Sequence, residues 1–218
     1  SHFVTKKNND TAFQMQPYEK LILQDKDPHF RVMNLASNTF NDARTSYYLK
    51  SIGGYHAAKL RRYQEMIEEH ISGEMNSLFK AVSEAGGDME KVNPAEFPVL
   101  NMLNTRYFIF PLQGGQTVPL DNPYALGNAW FVDEVHYVNN ANEEIAAIHG
   151  LNPLQKAIVD KKFKASVRSM PSDSLATIEL VEYQPNYLKY EVNSEKGGTV
   201  VFSEIYYPGW QSTIDGKD

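Results

Sequence analysis

Apolar residues recur at three- and four-residue steps through the middle of the chain, at Leu60, Tyr63, Ile67, Ile71, Met75, Leu78 and Val82. That spacing puts them on one stripe of an α-helix. Lys59, Arg61, Arg62, Glu65, Glu68, Glu69 and Lys80 fall on the other side. The pattern predicts a helix over 55–86 whose Leu60, Tyr63, Ile67 and Ile71 face enters the core, with Gly73 as a point of division and Gly86-Gly87 as its stop. No leucine heptad is sustained, so the helix faces a core and is not a coiled coil.

Before it, residues 1–27 are polar and read as a mobile lead-in with a short helix at 17–23. Alternation at 30–35 predicts a strand. Residues 36–54 then form a long polar and aromatic connection ending in Gly53-Gly54. After the long helix the pattern predicts a short helix at 98–105, a strand at 106–110, a loop at 111–123 and a strand at 129–138. Helices are expected at 142–150 and 153–160. Three strands close the chain, at 175–183, 187–193 and 199–206, with turns at Gln184-Pro185-Asn186 and 194–198. Asp215-Gly216 is a further hairpin signal whose partner strand is expected beyond residue 218. The fold class expected is α+β: a lead-in at 1–27, a mixed α/β region at 28–165, and an antiparallel β-meander at 166–218 belonging to a β-sandwich and incomplete at its C-terminal end.

Composition narrows the function classes. Of the 218 residues, 42% are hydrophobic and 22% charged, a balance that supports a packed core. The formal charge of -6 leaves no basic stripe, which argues against nucleic acid as a partner. With no cysteine, a disulfide framework, a thiolate zinc site and a cysteine nucleophile are all excluded. No apolar run in the chain reaches the roughly 20 residues of a membrane span.

Sites for chemistry are few. The histidines at 2, 29, 56, 70, 136 and 149 never fall at the spacing of a helical zinc motif, and they read as ordinary surface or capping residues. Nucleophile-elbow, P-loop and dinucleotide fingerprints are absent. Gly53-Gly54 fits either a turn into the helix or an anion-facing backbone. Asp133 and Glu134 are adjacent on a predicted strand and face opposite sides, a poor acid–base pair. No catalytic residue, cofactor or metal site is therefore assigned. The connection at 36–54 holds the candidate ligand-binding residues Asp42, Arg44, Tyr47 and Tyr48. A carboxylate and a guanidinium suit a hydroxyl-rich or phosphate ligand, and the two rings offer faces on which sugars stack. The competing reading is an internal Asp42–Arg44 pair with both tyrosines in the core. Thirteen tyrosines and two tryptophans make aromatic contact surfaces plentiful, most densely at Tyr206-Tyr207-Pro208-Gly209-Trp210.

Several stretches, in order from about residue 30 onward, resemble the YfhO family of bacterial polytopic membrane proteins, in its Bacteroides-like form. The most specific are Phe40-Asn41-Asp42-Ala43-Arg44-Thr45-Ser46-Tyr47-Tyr48 and Gly53-Gly54-Tyr55-His56-Ala57-Ala58-Lys59-Leu60-Arg61-Arg62-Tyr63. Leu103-Asn104-Thr105-Arg106-Tyr107, Gly127-Asn128-Ala129-Trp130 and Glu204-Ile205-Tyr206-Tyr207-Pro208-Gly209-Trp210 add to the likeness. The resemblance implies an extracytoplasmic (periplasmic) segment of a cytoplasmic-membrane protein related to glycosyltransferases that use lipid-linked sugars. The acidic residues expected to do that chemistry belong to loops between membrane helices that this chain does not contain, so no catalytic residue carries over. Its partners would be its own transmembrane region and a glycan or lipid-linked sugar, in envelope polysaccharide assembly. The alternative is a carbohydrate- or protein-binding module of the cell envelope without transfer chemistry.

Overall fold

The computed structural model describes residues 13–27, 29–55, 60–206 and 209–216. The first part of the expected lead-in (1–12), the expected start of the long helix (56–59), Tyr207-Pro208 of the aromatic run and the last two residues lie outside them. The class is α+β. Short α1 (Pro17–Ile22) leads to β1 (Arg31–Asn34) and then to a one-turn helix, α2 (Thr45–Tyr48). Next come α3 (Arg61–Met66), a π-helical turn (Ile67–Ile71) and α4 (Ser72–Glu84), followed by α5 (Pro98–Met102). Strands β2 (Thr105–Pro111), β3 (Thr117–Asp121), β4 (Ala129–Val132) and β5 (Glu134–Val138) precede α6 (Ala141–Ala146) and β6 (Lys156–Asp160). The last strands are β7 (Thr177–Gln184), β8 (Tyr187–Asn193) and β9 (Thr199–Phe202).

A three-stranded sheet, β1-β2-β3, organises the core, with β1 parallel and β3 antiparallel to the central β2. Successive side chains on a strand face opposite sides. Val32 and Ile109 accordingly meet Tyr18, Ile22 and Leu49 on one side, while Met33, Phe108 and Phe110 meet Ile67, Ile71, Leu78 and Val82 on the other. Both faces are thus covered, as a parallel strand pair requires. The part of the expected lead-in that forms α1 is held in place by Tyr18 and Ile22, both buried.

The long helical run corrects the predicted stripe in two ways. Gly73 does not divide it; the irregularity is the π turn, which inserts one residue's worth of rotation and re-aims the apolar face between Ile67 and Ile71. Leu60 lies ahead of the first helical turn in an extended conformation and is 43% exposed, not in the core. Leu60→Ala should therefore change the unfolding free energy by no more than about 0.5 kcal/mol, against the roughly 2–5 kcal/mol typical of a buried leucine. Urea denaturation of the variant measures this, and a loss near 3 kcal/mol would restore Leu60 to the core.

The β part differs more. The expected loop at 111–123 contains β3. The single strand expected at 129–138 breaks at Asp133, because the N–H groups of Asp133 and Glu134 both donate to Gln155 O at 3.0 Å. Its two halves enter different sheets: β4 pairs with β9, and β5 runs parallel to β6. The second half of the helix expected at 153–160 is β6, where Ala157, Ile158 and Val159 sit in strand register with Val135, His136 and Tyr137. β7 and β8 form an antiparallel hairpin with a bulge near Val181. β9 leaves them for β4, so the expected three-stranded meander gives way to a two-stranded hairpin. At the last signal, Asp215 (φ 52°) and Gly216 (φ 73°) both adopt the left-handed conformation of a tight hairpin turn.

Glu74 of α4 ties the helices together. Its Oε1 and Oε2 accept from the N–H groups of Val99 (3.0 Å) and Leu100 (2.9 Å) in the first turn of α5. Burial pushes this carboxyl up to about 7, against the pull of those two N–H groups.

Candidate functional site

The connection from 36 to 54 is built by its own polar groups. Thr39 Oγ1 donates to Asn34 O at 2.6 Å, and Gly54 N donates to Thr39 O at 2.7 Å. A side chain at Gly53 would come within 1.9 Å of Thr39 O, so glycine is required there. Gly53-Gly54 is thus a turn packed on Thr39.

The four candidate residues are brought to one side of the molecule but take different roles. Asp42 accepts from Arg44 N (2.9 Å), Thr45 Oγ1 (2.8 Å) and Ser37 Oγ (3.1 Å). Burial raises its carboxyl, but these hydrogen bonds outweigh it and hold the group below the usual carboxylate range. Arg44 meets Asp42 only through its backbone. Its guanidinium turns to Glu19 of α1, donating to both carboxylate oxygens, at 2.9 Å to Oε2, and to Gln14 O at 2.6 Å. Glu19's side chain is wholly buried, and its hydrogen bonds to Arg44 hold the guanidinium protonated. The internal Asp42–Arg44 side-chain pair is therefore replaced by two separate anchors. Tyr48 donates to Phe13 O at 2.6 Å and lies beneath Arg44. Tyr47 alone among the four keeps an open ring, 62% exposed, 5.1 Å from Phe13 and set at 81° to Tyr48. Phe13, itself 41% exposed, completes an aromatic shelf.

A second constellation joins residues no local pattern could connect. Lys50 Nζ donates to His29 Nδ1 at 2.7 Å, and His29 Nε2 donates to Glu204 Oε1. Burial raises the Glu204 carboxyl, yet the His29 hydrogen bond and the Arg31 charge hold it below its ordinary value. The His29 ring stacks on Tyr183 at 4.2 Å, and Lys50 Nζ lies 3.5 Å from the centre of the same ring. Arg31 spans Leu103 O, Ser203 Oγ and Ser203 O at 2.8–3.0 Å. With every partner internal, the arrangement acts as a clasp between β1, the β7–β8 hairpin and the segment after β9.

The third feature is a cleft of about 300 Å³ between α3, α6, β4 and β6. Met66, Trp130, Ile145, Ile148 and Val201 give it apolar walls. The Trp130 indole N–H is spent on Pro153 O at 2.8 Å, so only the ring faces the cleft. His70 of the π turn ties to the α6 wall, donating from Nε2 to Ile145 O at 2.8 Å. Sequence reading missed this cleft because β6 was expected as helix. Among the described residues no group of three or more His, Asp or Glu side chains could hold a metal ion, and no helix is long and apolar enough to cross a membrane. No family model, no curated protein and no solved structure matches the chain.

Proposed function

We propose that the chain is an extracytoplasmic, non-catalytic segment of a polytopic membrane protein resembling the YfhO family, and that it handles a glycan next to a lipid-linked-sugar transferase. Its contact with the sugar is the shelf of Phe13, Tyr47 and Tyr48. The observation that supports this reading is the state of Tyr47, a large ring left open to water while the polar groups around it are consumed by the fold. Aromatic faces with one polar tip suit the apolar face and hydroxyl rim of a pyranose. Arg44 and Asp42 serve that surface by fixing the backbone from which Tyr47 projects. The transmembrane region of the same protein is its partner and supplies the transfer chemistry.

Titration with a panel of β- and α-linked glucose and N-acetylglucosamine oligomers, followed by NMR of the tyrosine rings, tests the sugar contact. One of these should shift Tyr47 and Tyr48 resonances saturably. Tyr47→Ala should weaken that binding at least tenfold, about 1.4 kcal/mol, and leave the melting temperature within about 2 °C of the parent. Failure of every oligosaccharide to move those rings refutes the sugar surface. Sequencing of the surrounding gene tests the membrane half: apolar runs of about 20 residues upstream support it.

A further inference from the structure

We infer that the cleft between α3, α6 and β6 is a binding site for a single-chain zwitterionic amphiphile: an aliphatic tail carrying an anion and a cation in one headgroup. The site is separate from the aromatic shelf and does not depend on it.

The walls define the tail. Met66, Trp130, Ile145, Ile148 and Val201 converge on a space of about 300 Å³, the lower end of the size range of small-ligand pockets and enough for one short aliphatic chain. Methionine and the face of a tryptophan with its N–H already spent accommodate such a chain without demanding a polar partner. The mouth defines the head. Of its four charges, Lys156 is paired with Glu134 at 3.2 Å, and Glu65 with Arg61 at 2.8 Å. That leaves Glu144, for which no side-chain hydrogen bond or ion pair is found among the described residues, and Arg62, which makes no close ion pair among them although its charge helps hold the Asp160 carboxyl below its ordinary value. Glu144 is also half-buried against the apolar wall. One cation from α3 and one anion from α6 complement a head carrying both charges better than a head carrying either alone.

Tryptophan emission gives the test. Trp210→Phe, at an exposed position, leaves Trp130 as the only emitter. A lysophosphatidylcholine with a doxyl quencher on its acyl chain, added below its micelle concentration, should quench Trp130 and saturate at one molecule per chain. Octyl glucoside, with a tail but an uncharged head, should bind at least tenfold more weakly, and phosphocholine alone should not bind. Arg62→Gln and Glu144→Gln should each weaken the lysolipid about threefold or more. Ala141→Phe, placed at the exposed mouth, should block it. Absence of saturable quenching overturns the proposal, as does quenching unchanged in Ala141→Phe, and equal affinity for octyl glucoside removes the zwitterionic head. Because Phe13, Tyr47 and Tyr48 lie outside the cleft, Tyr47→Ala should leave the quenching intact, so this site and the sugar shelf stand or fall separately.

Discussion

Replacing Arg44 by methionine should lower the unfolding free energy by about 3 kcal/mol, although this residue sits in a surface connection. The reason is Glu19. Its carboxylate has no exposure to water, and the guanidinium donates to both of its oxygens. Removing one partner of a buried pair strands the other charge and typically costs about 3–5 kcal/mol. Arg44 retains 24% side-chain exposure, so water can enter when it is shortened and the lower end applies. Gln16 N, which donates to Glu19 Oε2 at 2.7 Å, cannot neutralise the charge alone. The double variant Glu19→Leu with Arg44→Met should recover most of the loss, since an apolar pair of similar volume removes both desolvation penalties. Urea denaturation of the three variants measures this. A loss under about 1 kcal/mol in Arg44→Met would free the guanidinium for ligand contact.

The second large effect is a stability that falls as pH rises toward neutrality. Glu74 has a folded-state pKa of about 7, against 4.5 for the group in an unfolded chain. Between those values the folded protein keeps a proton that the unfolded chain has released. Stability changes with pH in proportion to protons bound unfolded minus protons bound folded, a negative quantity here, so it declines from pH 4.5 to pH 7 and levels off above. At 1.36 kcal/mol per pH unit the decline attributable to Glu74 is about 3 kcal/mol. In Glu74→Gln that contribution is absent. The difference in unfolding free energy between parent and Glu74→Gln should therefore move by about 3 kcal/mol in favour of the variant across this window, and be flat above pH 8. A difference that moves the other way would mean that the N–H groups of Val99 and Leu100 hold the carboxylate ionised throughout.

What the sequence made legible follows the range of the forces involved. The stripe from Ile67 to Val82 was readable because helix periodicity is local, and β7 and β8 because alternation and a Pro-Asn turn are local too. The π turn left no mark, since inserting a residue's rotation needs only the side chains already there. β6 was misassigned because Lys156 to Asp160 is a short apolar run whose strand character comes from its neighbour β5, not from its own period. The same limit governed the sites. Asp42, Arg44, Tyr47 and Tyr48 stood out by composition, but whether each faces ligand or fold depended on Glu19 and Phe13, more than 20 residues away. His29, Lys50, Tyr183 and Glu204 carried no shared pattern at all.

The clasp formed by Arg31 and His29 has a consequence for how the chain reaches this structure. Arg31 closes on Ser203 across 172 residues, and His29 on Glu204 across 175. Contacts so distant in sequence raise the contact order and slow folding, because a long loop must be closed before they contribute anything. In N-to-C order, β1, β2 and the long helix can assemble while β4 still waits for β9, leaving a strand edge bearing Trp130 and Val132 open until residues 199–202 follow. Until β9 follows β4, the open edge is a place where the chain can mispair with another copy of itself.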